Sequence, residues 1–222
     1  MPRRRPNLPL QHLDNGLLDV KPYGEFVAIT NRNLEDSPLL RLPPEIRNRI
    51  FKYALCGHKL RPFLSFEHFR TSELQGVVAA NRKLAKGRFE LLLTSRQIYA
   101  ETAALPYILT TFAFQRTYHI HQWLSVLDRH PVQKKRLRYI KTLQCASMPS
   151  DSVSEHQCHK AFPLDRFCGL ERVELLLYHR AYRREVSRIN KTYAKFFQEK
   201  GIKVAVKNST SWQWCIDEIL KP

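Results

Sequence analysis

A proline pair at the head of a helical run does most to limit what this chain can fold into. Leu39, Leu40 and Leu42 lead into Pro43-Pro44-Glu45, and Ile46, Ile50, Tyr53 and Ala54 then recur at helical spacing. Proline costs nothing in a first helical turn, where its missing N–H has no partner to lose, and Glu45 suits the positive end of the helix dipole. The pattern predicts a short amphipathic helix with Arg47, Asn48 and Lys52 mostly outward. Its apolar face has two destinations, the protein's own sheet or a groove on a partner.

The rest of the chain alternates helical and strand periods. A second helix is predicted from Leu91, with Leu91, Ser95, Ile98, Thr102 and Leu105 in one ridge and Tyr99 and Ala103 widening it; Pro106 should kink or stop it. Thr110 to Gln115 reads as a strand, with Phe112 and Phe114 alternating with small residues. A helix from about Tyr118 to Arg129 turns Ile120, Trp123, Leu124 and Leu127 inward, and Pro131 closes it. Leu137 to Cys145 and Leu170 to Tyr178 read as two equivalent strands: Leu137, Ile140 and Leu143 align with Leu170, Val173 and Leu176. That gives a faint leucine-rich-repeat-like pair, and two matches fall short of the three units a repeat protein needs. A helix over Tyr182 to Lys200 carries Val186, Ile189, Tyr193, Phe196 and Phe197, with Gly201 placed as its C-cap. Ile202, Val204 and Val206 form a half-buried strand, and Trp212 to Leu220 a short last helix.

Between these elements, residues 57–90 read as a short strand followed by a polar loop, and 147–163 as a polar loop. Residues 1–37 hold five basic and five acidic side chains with scattered apolar residues, and read as a mobile leader with one strand over Glu25 to Asn31. The expected architecture is α+β or α/β: a single domain over 38–222, amphipathic helices on a small mixed sheet, with a basic C-terminal helix-strand extension. At 222 residues the chain can bury a sizeable core without disulfides or metals.

Motif searches mainly exclude. The seven glycines never come closer than eight positions, so neither the dinucleotide fingerprint nor the Walker loop is present. No H-E-x-x-H or G-x-S-x-G occurs, and no catalytic residue or cofactor is assigned. No apolar run reaches the ~18 residues of a membrane span, and the basic Met-Pro-Arg-Arg-Arg-Pro start has no secretory apolar region. Five cysteines at irregular spacing do not form a secreted disulfide framework, so the expected setting is intracellular, cytoplasm or nucleus. His156, Cys158, His159 and Cys168 offer soft ligands, but the second well-spaced pair of a structural zinc site is missing, so no metal is assigned.

The net charge of +17 is unevenly placed. Arg129 to Lys141 has six basic residues and no acid, and Arg180 to Lys207 has nine basic and two acidic residues. Lys134, Lys135, Arg136, Arg138, Arg183, Arg184 and Arg188 are therefore candidates for holding nucleic acid or an acidic partner, with Tyr139, Tyr182 and Tyr193 available to stack on bases. Lys134 to Arg138 also reads as a run for nuclear import.

The ordered set Leu39-Leu-Arg-Leu-Pro-Pro-Glu-Ile-Arg-Asn-Arg-Ile-Phe-Lys-Tyr-Ala-Leu55, Leu91-Leu-Leu-Thr-Ser-Arg-Gln-Ile-Tyr-Ala-Glu-Thr-Ala104 and Thr111-Phe-Ala-Phe114 resembles the fungal F-box-like proteins. The resemblance spans roughly 39–178. It implies a non-enzymatic interaction module in which Leu42, Pro43, Ile46, Ile50 and Tyr53 dock on the Skp-type adaptor of a cullin–RING ubiquitin ligase while the rest recruits a substrate protein. The chain departs from an F-box in having turn and strand, not helices, after Gly57. A related group carries two Glu-x-Arg motifs; Glu45-Ile-Arg47 keeps the first, and Arg96-Gln-Ile-Tyr99 stands at the second. The alternatives are a basic nucleic-acid-binding module and a stand-alone F-box-like fold without adaptor docking.

Overall fold

The computed structural model describes residues 11–57, 59–60, 62, 89–114, 116–147, 158, 160, 162–178 and 183–209. In chain order the elements are α1 (Glu25–Asp36), α2 (Pro44–Leu55), β1 (Lys59–Leu60), a 3-10 turn (Phe89–Leu93), α3 (Arg96–Thr102), α4 (Leu105–Leu109) and β2 (Thr111–Phe114). There follow α5 (Thr117–Leu127), α6 (Pro131–Lys135), a 3-10 turn (Arg136–Tyr139), β3 (Thr142–Ser147), a 3-10 turn (Leu164–Arg166), β4 (Arg172–Tyr178), α7 (Arg183–Glu199) and β5 (Lys203–Ser209).

The five strands form one sheet in the order β1-β2-β3-β4-β5, and every neighbouring pair is parallel. The expected helix-and-sheet domain is therefore present, with a sheet that is parallel throughout where a mixed one was expected. Parallel neighbours need crossover connections, and right-handed crossovers that always advance in one direction leave their helices on one face. The core follows that rule. One row, Leu60, Phe112, Leu143, Val173 and Val204, runs across all five strands, and a second, Phe114, Cys145, Leu175 and Val206, runs across four. Both rows pack against Ile120, Trp123, Leu124 and Leu127 of α5 and Tyr193, Phe196 and Phe197 of α7. Trp123 lies 5.6 Å from the rings of both Phe112 and Phe114.

A second, smaller core lies apart from the first. Leu40, Phe51 of α2 and Ile98 of α3 are buried together, with Leu39, Leu91 and Leu105 packed against them. The first two of the segments that carry the family resemblance, 39–55 and 91–104, thus share one apolar cluster.

Several expectations need correction. The strand over Glu25 to Asn31 is helix α1: Val27, Ile29 and Thr30 favour strand locally, but Phe26, Thr30 and Asn33 line up on one side at helical spacing. The leader from Gln11 to Asp36 has defined structure, with an antiparallel bridge between His12 and Leu18. The single helix from Leu91 is broken at Ser95, whose hydroxyl accepts from the Ile98 amide and starts α3, and Pro106 sits in the first turn of α4 instead of ending a helix. Pro131 likewise opens α6. The strands β3 and β4 are parallel neighbours, but Leu143 faces Val173 and Ala146 faces Leu176, so the leucine alignment read from the sequence is three residues out of register. Leu137 lies in a 3-10 turn, outside the strand. The last helix over 212–220 lies outside the described residues, as do residues 63–88 of the 57–90 segment and 148–157 of the 147–163 loop.

Two glycines have contrasting requirements. Gly201, at φ +69°, ends α7 in a Schellman arrangement in which its own amide donates to Gln198 and that of Ile202 to Phe197. Gly169 needs space: a Cβ there would overlap the Arg138 carbonyl oxygen. Gly201→Ala should cost about 1 kcal/mol from its dihedral alone, and Gly169→Ala about 2–3 kcal/mol from overpacking. Thermal unfolding checks the order; equal losses would contradict it.

Candidate functional site

The α2 helix has two apolar stripes, and only one of them is used internally. Positions i, i+4 and i+8, Arg47, Phe51 and Leu55, are buried. On the opposite side Ile46 is 41% exposed, Ile50 40% and Tyr53 83%, with Pro43 exposed and Leu42 half-buried at the helix entrance. The sequence reading placed Arg47 outward, and the structure reverses it. Arg47 has relative exposure of only 6%.

A buried guanidinium must be paired to be tolerated. Arg47 is held on two sides. Its Nε donates to Glu101 Oε2 at 3.0 Å and its Nη2 to Glu101 Oε1 at 2.7 Å, the bidentate fork that matches a carboxylate. Its Nη1 donates to the carbonyls of Leu40 (3.0 Å) and Leu42. Glu101, on α3, also accepts from Gln97 Nε2 at 3.0 Å, one turn earlier. This network ties the turn before α2, α2 itself and α3 into one unit. It also orients the exposed stripe, because a helix fixed along Arg47, Phe51 and Leu55 has no freedom to roll.

The hydrogen bonds from Arg47 hold the Glu101 carboxyl below its ordinary range, against an opposing push from burial, with Gln97 adding a smaller lowering. A carboxylate whose folded-state pKa is depressed contributes stability above its unfolded value. That contribution is lost as pH falls from about 4.5 through the lower folded-state value. Glu101 stands in the quoted Leu91–Ala104 segment, but nothing in that segment points to its pairing with Arg47, 54 positions away. The signal for Arg47 was its position, four and eight residues before Phe51 and Leu55.

The basic candidates are divided in their roles. Lys134 is exposed but ion-paired to Asp128 at 3.2 Å, and Asp128 is also held by Arg166. Hydrogen bonds from Arg166 and Lys134 keep the Asp128 carboxyl low. Arg136 is committed inside the fold, with Nε donating to the Gly16 carbonyl at 2.8 Å and Nη1 to the Tyr107 hydroxyl at 3.4 Å. Lys141 pairs with Glu171 at 2.6 Å. Lys135 and Arg138 are exposed. Arg183, Arg184 and Arg188 belong to α7, and their side chains fall outside the described residues. The structure thus does not gather the seven residues into one described surface.

Of the soft-ligand set, Cys158 is fully buried in the main core and Cys168 is exposed, while His156 and His159 lie outside the described residues. No group of three or more metal-ligating side chains occurs among the described residues. No helix among them is long and apolar enough to cross a membrane.

A feature the sequence did not show is the docking of the N-terminal segment onto α3. The Arg96 guanidinium lies over the rings of Phe26 (4.7 Å) and Tyr23 (5.4 Å), and the Leu18 amide donates to the Tyr99 hydroxyl at 3.1 Å. An apolar groove of about 400 Å³ runs between α1 and the 92–99 segment, flanked by Ile29 and Leu93.

A family model described as a domain of unknown function, DUF7730, matches residues 32–153, more than half of the chain. The chain belongs to the DUF7730 family. The matched region contains both segments of the small core and the Arg47–Glu101 pair, together with β1 to β3. It ends before β4, α7 and β5, which continue the DUF7730 sheet without a break. No curated protein and no solved structure matches the chain.

Glu101→Gln tests the ion pair. It should lower stability at neutral pH by about 2–3 kcal/mol, since Arg47 loses its charged partner while buried, or roughly 6–10 °C for a chain of this size. It should also flatten the loss of stability between pH 5 and 3. A variant with unchanged Tm and an unchanged acid limb would contradict the role.

Proposed function

We propose that this protein is a non-enzymatic interaction module whose α2 outer face docks on a Skp-type adaptor, the remainder serving as a substrate receptor for a cullin–RING ubiquitin ligase. The observation that carries this reading is the exposure of Ile46, Ile50 and Tyr53 on a helix whose opposite side is fixed by Phe51, Leu55 and the Arg47–Glu101 pair. Large aliphatic and aromatic side chains at i, i+4 and i+7 form the stripe that a helix lays into an apolar groove. Pro43, exposed at the helix start, and the half-buried Leu42 extend that stripe by a turn. The F-box-like order of the 39–55 and 91–104 segments supplies the identity of the groove's owner. A fold that had lost docking would have no reason to keep this stripe apolar, because an exposed position accepts polar residues at no cost in packing.

The basic alternative has weaker support, since Lys134, Arg136 and Lys141 each have a partner within the chain.

Co-purification and calorimetry with purified Skp-type adaptor test the proposal. The wild type should bind, and Ile46→Asp with Ile50→Asp should abolish binding while Tm stays within about 2 °C, as expected for exposed sites. Absence of wild-type binding, or intact binding by the folded double variant, would overturn it.

A further inference from the structure

The outer stripe of α2 is not purely apolar. Arg49 lies within it, one turn after Ile46 and one turn before Tyr53, at the i+3 and i−4 spacings that make helical residues neighbours. Lys52 lies farther out on the same flank, and both side chains are exposed. Among the described residues neither makes an ion pair or a hydrogen bond through its side chain. Two neighbouring arginines are occupied, Arg47 by Glu101 and two carbonyls, and Arg96 by two aromatic rings and the Lys21 carbonyl, while Arg41, ahead of the helix, is exposed as Arg49 is. Arg49 is the outward fork of the helix. The single acidic residue of α2, Glu45, is likewise exposed, so the helix surface has a net positive outer flank on a chain of net charge +17.

We infer that the partner groove which receives α2 is apolar along its floor and carries a carboxylate on its rim, taken bidentately by Arg49, with Lys52 contributing long-range attraction. The inference rests on the docking reading above and specifies the partner's chemistry. Arginine and tyrosine are both enriched among the residues that dominate interface energies. A guanidinium matches a carboxylate in two parallel hydrogen bonds, which lysine does not reproduce. Charge at the rim of an interface acts mainly on association rate and salt dependence.

The test uses the full chain and purified Skp-type adaptor, with Kd measured at 50 and 500 mM NaCl. Arg49→Glu should weaken binding at least tenfold at the lower salt and by a clearly smaller factor at the higher, where the Debye length falls to about 4 Å and the longer-range part of the attraction is screened. Arg49→Lys should fall between Arg49→Glu and the wild type, and neither variant should change Tm. If Arg49→Glu binds as the wild type does while Ile46→Asp with Ile50→Asp does not bind, the carboxylate rim is wrong and the docking face stands. If the wild type itself does not bind, both fail. Equal weakening by Arg49→Glu at the two salt concentrations would also overturn the inference, because a charge pair at a rim cannot be indifferent to screening.

Discussion

The arrangement of the α2 region depends on a charge placed where an apolar side chain would be expected. Arg47 occupies the centre of the inner stripe, and its guanidinium reaches Glu101 on α3 and the carbonyls of Leu40 and Leu42. Apolar contact alone would let α2 slide or roll on its neighbours at little cost. A bidentate fork does not tolerate such motion, because a small displacement breaks two charge-assisted hydrogen bonds inside a poorly solvated site. The net stabilisation from a buried pair is modest once desolvation is counted, and its larger effect is to specify one arrangement. Here that arrangement turns Phe51 and Leu55 inward and leaves Ile46, Ile50 and Tyr53 facing solvent.

Two cores give the molecule two parts with different construction. The larger is a parallel sheet covered on one face by α5 and α7, built from side-chain rows that cross four or five strands. The smaller is the cluster of Leu40, Phe51 and Ile98, with the ion pair at its side. The DUF7730 match contains the whole of the small core but stops inside the large one. The N-terminal segment bridges them, touching α3 through Arg96 and Tyr99 and the start of the 136–139 turn through Arg136. The outer face of α2 is thereby held on a rigid base, and under the docking proposal this would limit the ordering cost of binding.

The sequence was legible wherever period and burial agreed. Ile120, Trp123, Leu124 and Leu127 follow a 3.6-residue repeat and are all buried, and Phe112 and Phe114 alternate as a strand should. It misled where a local preference opposed a longer-range one. Val27, Ile29 and Thr30 are β-branched, yet α1 forms because its Phe26 face meets Arg96 of α3. The spacing of Ile46, Ile50 and Tyr53 points Arg47 to solvent, and the partner that reverses this is 54 residues away. Ile46, Ile50 and Tyr53 form an apolar stripe in the sequence, but sequence alone leaves open which side of α2 the protein covers. Its rival, Phe51 and Leu55 in register with Arg47, was disguised by the charge.

The role of the Arg47–Glu101 pair as the tie between the two motif segments is tested most directly by a double-mutant cycle. Arg47→Gln, Glu101→Gln and the double variant would be compared by denaturant unfolding at pH 7. The ion pair predicts that each single change costs about 2–3 kcal/mol and that the double change costs little more than either, a coupling of at least roughly 1.5 kcal/mol. Losses that add to within about 0.5 kcal/mol would show that the two residues act independently, and would contradict the account.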